Sequence, residues 1–155
     1  MNDVEAMEAC IELARHALER GDHPFGSVLV RDGAVFAEGQ NRVNSKLDPT
    51  AHAETEAIRE ACKALETLDL RGLTLYASGE PCWMCATVIR QVGIRRVVIG
   101  ELSRWPTGGY SSDFPILTVE APERFGPPPE IVTGVLGDAC AALLDAAGWS
   151  PPPRA

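Results

Sequence analysis

The sequence predicts an α/β fold in a single domain spanning residues 1–155. Two patterns support this prediction. From about residue 51 onward, short strand-like runs alternate with segments of helical periodicity, which indicates parallel strands connected by helices. Before that point, two strand-like runs flank Asp32-Gly33, a dipeptide suited to the tight turn of an antiparallel hairpin. A chain of 155 residues with 45% hydrophobic composition is also large enough to bury its own core.

The first third of the chain predicts a helix, a hairpin and a second helix. Apolar residues recur at helical spacing from Val4 to Leu18, and Gly21 is a suitable stop. The hairpin strands are predicted at residues 27–31 and 34–38, and the second helix runs from about residue 51 to 65.

The remainder alternates strands and helices and ends in a closing helix. The predicted elements are a strand at 73–77, a helix at 82–92 ended by Gly93, a strand at 96–99, a strand at 131–135 and a helix at 138–147. The segment 102–130 has little periodicity, which is typical of a functional loop. The proline-rich stretch 150–155 is expected to be a frayed end.

Two short segments carry candidate metal ligands, His52-Ala53-Glu54 and the run Pro-Cys-Trp-Met-Cys at 81–85. Zinc prefers thiolate and imidazole ligands, and a catalytic site holds three protein ligands and leaves one position open. His52, Cys82 and Cys85 are three such ligands. If a helix begins at residue 81 or 82, both sulfurs lie on its first turn, where the helix dipole favours the thiolate. The pattern predicts zinc as the cofactor.

A Cys-x-x-Cys pair alone would also fit a redox site or half of a structural zinc site. A structural site normally closes with four protein ligands, and the sequence holds no second His or Cys pair at ligand spacing. Cys10, Cys62 and Cys140 fall within apolar helical patterns typical of buried, inert cysteines. The two segments together therefore favour a catalytic site.

Glu54 has no ligand duty in this scheme, and we expect it to carry protons during hydrolysis. Zinc lowers the pKa of water from about 15.7 to roughly 7, so hydroxide becomes available at neutral pH. Glu54 takes the proton of the water, delivers it to a ring nitrogen of the substrate and later protonates the departing amine. The expected reaction is hydrolytic deamination of an amino-heterocycle with release of ammonia.

The two segments, H-x-E followed by P-C-x-x-C, resemble the signature of the cytidine and nucleobase deaminase superfamily. This resemblance implies a three-layer α/β/α cytidine deaminase-like fold around a mixed five-stranded sheet, which agrees with the predicted element order. It also implies an oligomer, and we expect a homodimer. The helix face that carries Ile89 and Val92 is a candidate contact surface.

The first two thirds of the chain are especially similar to the bacterial guanine deaminase branch. The likeness is carried by residues 24–28 (PFGSV), 39–41 (GQN), 48–54 (DPTAHAE) and 57–62 (AIREAC). In that branch, the residue matching Asn41 contacts the substrate base and the residue matching Phe25 lines the pocket. An amide side chain can donate to and accept from a base edge, so Asn41 and Phe25 are predicted to bind substrate.

The likeness weakens after Gly100, where Trp105, Asp113 and Phe114 offer aromatic faces and a carboxylate to a flat heterocycle. We therefore predict that these three residues also bind substrate. Residues 132–144 and the proline-rich end are more similar to cytosine and transfer-RNA adenosine deaminases. Guanine, as a free nucleobase, is the first expected substrate, cytosine or a nucleoside the second, and adenosine in transfer RNA the third. A non-catalytic zinc protein that binds purines is the alternative outside the enzyme class.

The net charge of the chain indicates which kinds of partner it binds. The formal net charge is −8, whereas nucleic-acid-binding proteins usually carry a basic excess. The local basic cluster Arg90, Arg95 and Arg96 is typical of a solvated helix end. We therefore expect a small-molecule partner and neither nucleic acid nor membrane. The chain shows no signal-like segment and no apolar run long enough to span a bilayer, and unpaired cysteines suit a reducing compartment, so a cytoplasmic location is expected.

Overall fold

A five-stranded mixed sheet with helices on both faces organises residues 1–150, the part of the chain that the computed structural model describes. The elements are, in chain order, α1 (Asp3–Arg20), β1 (Gly26–Arg31), β2 (Ala34–Gln40), α2 (Val43–Lys46), α3 (Ala53–Leu65), β3 (Thr74–Gly79), α4 (Trp83–Gln91), β4 (Arg96–Glu101), β5 (Glu130–Thr133) and α5 (Gly137–Ala146). The strand order is β2-β1-β3-β4-β5. Strand β1 is antiparallel to β2 and β3, whereas β3, β4 and β5 run parallel.

The two faces of the sheet bury separate apolar cores. Neighbouring strand residues alternate between them: Leu29 and Val97 pack toward α3 and α4, whereas Val28 and Val98 pack toward α1 and α5. Because helices cover both faces, the central strands are apolar along most of their length. The prediction of a three-layer α/β/α fold with a mixed sheet is therefore confirmed.

The predicted elements are all present, and most of their boundaries are shifted by only one or two residues. The hairpin turns where predicted, since Asp32 and Gly33 both adopt positive φ, at 51° and 78°. The short helix α2 was not predicted, because four residues are too few to show a period. Within residues 1–150, no helix is long and apolar enough to cross a membrane. The predicted fray at 150–155 lies, apart from Ser150, outside the described residues.

The long segment between β4 and β5 contains no helix or strand, and a buried arginine holds much of it in place. The Arg90 guanidinium donates to the backbone carbonyls of Ile116, Leu117, Val119 and Gly126 at 2.9–3.2 Å. It also lies over the ring of Phe125, 4.7 Å from its centroid.

The interpretation of Arg90 as part of a solvated helix end is therefore wrong, since its residue exposure is 3%. Arg96, from the same cluster, forms an ion pair with Asp3 at 2.8 Å. Arg95 alone of the three is exposed. A basic cluster in the sequence cannot show which of its members carry backbone hydrogen bonds inside the fold.

Replacing Arg90 with alanine should lower the free energy of unfolding by about 2–4 kcal/mol, because four buried or half-buried carbonyls lose their donor. Urea unfolding followed by circular dichroism measures this change. The neighbouring exposed Arg95→Ala is the matched control and should change stability by less than about 0.5 kcal/mol. Equal effects from both variants would contradict this account of Arg90.

A second buried charge fixes the chain between β2 and α3. The Asp22 carboxylate accepts hydrogen bonds from the backbone N–H and the hydroxyl of Ser45 and from Arg20 Nε, at 2.7–2.8 Å. Arg20 also donates to the carbonyl of Asn41 at 2.9 Å. Burial alone would raise the pKa of Asp22, but the hydrogen bonds from Ser45 and Arg20 outweigh it and lower this pKa to about 2.

A lowered carboxyl pKa stabilises the folded state above the ordinary pKa, and this contribution disappears as the pH falls toward the folded-state value. Asp22→Asn should therefore lower stability by about 2 kcal/mol at pH 7. The difference between the two proteins should shrink as the pH is lowered from about 4 toward 2. Urea titrations of both proteins along a pH series test this, and a gap that stays constant below pH 4 would argue against the role of the Asp22 charge.

Candidate active site

The helices α3 and α4 begin close to one another, and the predicted metal ligands lie at their starts. His52 occupies the N-cap position of α3, and Cys82 occupies that of α4. Cys85 lies in the first turn of α4, three residues after Cys82. The structure therefore agrees with the prediction that both motifs lie at helix starts beside the end of a strand.

The approach of α3 to the sheet depends on a glycine in β2. A Cβ atom on Gly39 would overlap the backbone carbonyl of Ala53 and crowd the N–H of Ala57. Only glycine allows the first turn of α3 to lie this close to the strand. This contact fixes the position of His52 and Glu54, which flank Ala53 in the sequence.

The three ligand side chains converge as a tetrahedral metal site requires. Their ligand atoms lie within 4.8 Å of one another, and His52 Nδ1 is 3.5 Å from the sulfurs of both Cys82 and Cys85. Zinc–sulfur and zinc–nitrogen bonds of ordinary length at tetrahedral angles place such atoms roughly 3.6 Å apart. One imidazole and two thiolates are a donor set that suits zinc. These residues therefore fit a zinc ion with one open position.

Hydrogen bonding polarises the two cysteines in opposite directions. The hydrogen bond with the Cys85 thiol lowers the pKa of Cys82 to about 4, and the same bond, together with burial, raises the pKa of Cys85 well above its ordinary value. The contact with Cys82 raises the pKa of His52. The pair thus shares one readily formed thiolate, and a bound metal ion deprotonates a coordinating thiol outright.

Glu54 lies beside the ligands without being one of them. It is the second residue of α3 and only 5% exposed. Burial raises the pKa of its carboxyl group, which is the shift expected for a group that must hold a proton near neutral pH. Glu54, His52 and Cys82 line one cavity, so Glu54 is placed where it can act as a general acid–base group.

This active-site cavity has a volume of about 290 Å³ and is lined by residues from both helix starts, the strand ends and the C-terminal segment. Among the predicted substrate-binding residues, Asn41, Phe25 and Trp105 line it. The Oδ1 atom of Asn41 accepts the N–H of Val43 at 3.1 Å, and the side chain is nearly buried. Its NH₂ group makes no hydrogen bond within residues 1–150 and can serve a ligand.

Asp113 and Phe114 are not brought to the cavity. Both are exposed, and Phe114, at 66% exposure, packs edge-on against Trp83 on the outside of α4. The Ser112 hydroxyl fixes this arrangement, because it accepts from the indole of Trp83 and from the backbone N–H of Phe114 at 3.0 and 3.1 Å.

A buried glutamate that was not predicted as a site residue holds the loop after β4 in place. Glu80 follows β3 and accepts the backbone N–H groups of Ser103, Tyr110 and Ser111 and the Ser111 hydroxyl. It therefore connects the strand that precedes the Cys motif to the loop after β4. Its position directly before Pro81 was the one hint in the sequence. A sequence does not distinguish a buried glutamate that holds a loop from a glutamate on the surface.

The aromatic cavity residues His23 and Trp149 were also not predicted. His23 lies directly before the similar segment 24–28, and Trp149 directly precedes a stretch expected to be frayed. Neither belongs to a periodic pattern, so the sequence offered only their aromatic character.

The candidate contact surface on α4 is not available for assembly. Ile89 is fully buried and Val92 is 7% exposed, and both belong to the core between the sheet and α3. Their helical spacing reflected packing within the chain. The homodimer itself stays a prediction.

Comparison with known proteins agrees with this geometry. The cytidine and deoxycytidylate deaminase zinc-binding region matches residues 1–101. The tRNA-specific adenosine deaminase of Bacillus subtilis is 41% identical over 140 residues, which are 90% of this chain and 84% of that protein. The guanine deaminase of the same organism is 48% identical over 90 residues, 57% of this chain and 58% of that protein.

A solved structure from studies of A-to-I editing by tRNA:A34 deaminases at the wobble position superposes with a TM-score of 0.83 at 37% identity, covering 90% of this chain and 99% of that one. The match to a zinc-binding region and the converged ligand set together identify zinc as the cofactor. The chain belongs to the cytidine and deoxycytidylate deaminase family of zinc-dependent enzymes.

Proposed function

We propose that this protein deaminates adenosine in transfer RNA to inosine, with the wobble position as the target to test first. The extent of sequence similarity carries this proposal. The match to a tRNA-specific adenosine deaminase spans 90% of the chain, whereas the match to a guanine deaminase has higher identity but spans 57%. The longer match takes in the C-terminal third, where the likeness to guanine deaminases had already weakened.

The expectation of guanine as first substrate is therefore wrong, and so is the expectation that nucleic acid is an improbable partner. The net charge of −8 led to the wrong prediction about nucleic acid because it is a sum over the whole chain. Four basic side chains line one surface groove together with three glutamates; they are Arg42, Lys46, Arg59 and Lys63. Arg42 follows the cavity residue Asn41 directly in the sequence, so the groove and the active-site cavity share one segment of the chain.

His52, Cys82 and Cys85 are the residues we propose to hold the zinc ion. When bound, zinc supplies a Lewis acid that makes water nucleophilic near neutral pH. The chain itself contributes the ligand spacing, set by the two helix N-termini and by the close contact at Gly39.

Glu54 moves the protons. Its carboxylate accepts a proton from the attacking water and passes it to N1 of the adenine ring while the new C6–O bond forms. A second proton moves from this oxygen through Glu54 to the amino group, the C6–N bond breaks, and ammonia leaves. Inosine retains the oxygen as a carbonyl, so one water is consumed for each ammonia released. The amide of Asn41 is placed to hydrogen-bond the base edge during these steps.

Cys85→Ser should remove most of the bound zinc, because the weakly acidic hydroxyl of serine is a poor substitute for a thiolate ligand. Metal analysis of the purified protein by atomic absorption measures the zinc content. Cys62→Ser, a half-buried cysteine outside the site, is the matched control and should keep one zinc per chain. Stoichiometric zinc in Cys85→Ser would remove Cys85 from the ligand set.

Glu54→Ala should keep its zinc but lose activity by about 10²–10⁴-fold, the usual contribution of a general acid–base group. The assay follows inosine formation and ammonia release with a transfer RNA bearing adenosine at the wobble position, alongside free guanine and cytosine. Wild-type activity on the RNA and none on the free bases is the expected result. Ammonia from a free base but not from RNA would contradict the proposed substrate. Zinc and RNA binding without any ammonia would contradict the enzymatic role.

A further inference from the structure

The far end of the described chain returns to the active site. Trp149 lies beyond α5, yet it lines the same cavity as His52 and Glu54. Its indole is the centre of an aromatic cluster formed by His23, Phe25, Trp105 and Trp149. The ring centroids of the other three lie 4.8, 5.2 and 6.0 Å from that of Trp149.

The turn that ends α5 directs Trp149 back to the site. Gly148 adopts a positive φ of 67°, a conformation that costs glycine little. The N–H of Trp149 then bonds to the carbonyl of Leu144 at 2.9 Å, and that of Gly148 to Asp145 at 3.0 Å. These two bonds close the helix in a left-handed turn, so the tryptophan is held at a defined position.

Arg104 fastens the same segment to the sheet. Its guanidinium pairs with Glu101 at the end of β4 and with Asp145 in α5, at 3.0 and 2.6 Å. It also donates to the backbone carbonyls of Ala141 and Trp149, at 3.3 and 3.2 Å. One arginine therefore links the strand end, the last helix and Trp149.

The cavity wall near this cluster carries polar atoms without partners. Within residues 1–150, the buried side-chain polar atoms that lack a hydrogen bond are Glu101 Oε2 and Trp105 Nε1. Both residues line the cavity, and Trp105 belongs to the aromatic cluster. Buried polar atoms are usually paired, so such atoms mark a wall shaped for more than internal packing.

We propose that Trp149 is a substrate-binding residue whose indole stacks on a planar base of the RNA substrate, and that Arg104 is its positioning residue. This inference rests on the proposed function. Every nucleobase has a flat π-face, and an aromatic side chain at the wall of a base-binding cavity contributes affinity by stacking. The cavity residues nearest the zinc ligands supply the chemistry, whereas Trp149 supplies binding of the base.

Trp149→Ala should raise the KM for the RNA substrate by about tenfold or more, as expected for loss of one base–aromatic stack. The kcat and the zinc content should change little. Trp149→Phe keeps a flat ring and should stay within about threefold of wild type in KM. Thermal melting by circular dichroism confirms that each variant is folded. A Trp149→Ala protein with wild-type KM, or with reduced kcat at unchanged KM, would overturn the inference.

Failure of the proposed function can be distinguished from failure of the proposed role of Trp149. If the wild-type protein does not deaminate the RNA, the proposed function and the stacking partner fall together. If the wild-type protein is active and Trp149→Ala is equally active, the proposed function stands and only the role of Trp149 is lost.

A double-mutant cycle separates a positioning role from a general effect on stability. Arg104→Ala should raise KM in the wild-type background but change it by less than about twofold when Trp149 is already alanine. Arg71→Ala removes a comparable arginine, paired with Asp69 on the surface, and should leave KM unchanged in both backgrounds. Additive effects of Arg104→Ala and Trp149→Ala would overturn the positioning role.

A modified stem-loop distinguishes the two bases that Trp149 could contact. In this RNA, the nucleotide next to the target adenosine carries no base. If the Trp149→Ala effect on KM persists with this substrate, the indole stacks on the target adenine. If the effect disappears, the indole stacks on the neighbouring base.

Discussion

The active site depends on how closely α3 can approach the sheet. Gly39 offers no side chain where the carbonyl of Ala53 lies against β2, and His52 and Glu54 flank that contact. The other helix of the site, α4, follows β3 and carries Cys82 and Cys85 at its start. The distances between the candidate ligand atoms therefore follow from backbone packing that the apolar core supports.

The long segment between β4 and β5 is held in place differently. Residues 102–129 form no helix or strand, and buried charged side chains replace the missing ladder of hydrogen bonds. Glu80 accepts backbone N–H groups near the start of the segment, and Arg90 donates to carbonyls near its end. Glu80 lies directly before the Cys motif, and Arg90 lies in α4, the helix that carries Cys85. The metal-ligand residues and the 102–129 segment therefore depend on the same part of the chain for support.

Much of the fold was predictable because periodicity and turn chemistry are local properties. The hairpin at Asp32-Gly33 and the helix starts at His52 and Cys82 are examples. The ligand set was predictable because zinc restricts both residue type and spacing. The burial of Arg90 and the return of Trp149 were not, since each depends on contacts with residues far away in the sequence. The substrate was also misjudged, because similarity in the catalytic half outweighed evidence from the C-terminal part.

The hydrogen bonds that hold the 102–129 segment have a consequence for how this protein can change. Glu80 and Arg90 bind almost entirely to backbone groups, which every residue except proline offers in full. Exposed side chains along the segment can therefore be exchanged without removing these hydrogen bonds. Point substitutions at these exposed positions can therefore accumulate while the metal-ligand residues and the core remain intact. The segment, which supplies part of the cavity wall, is then a place where laboratory selection would find tolerated mutations.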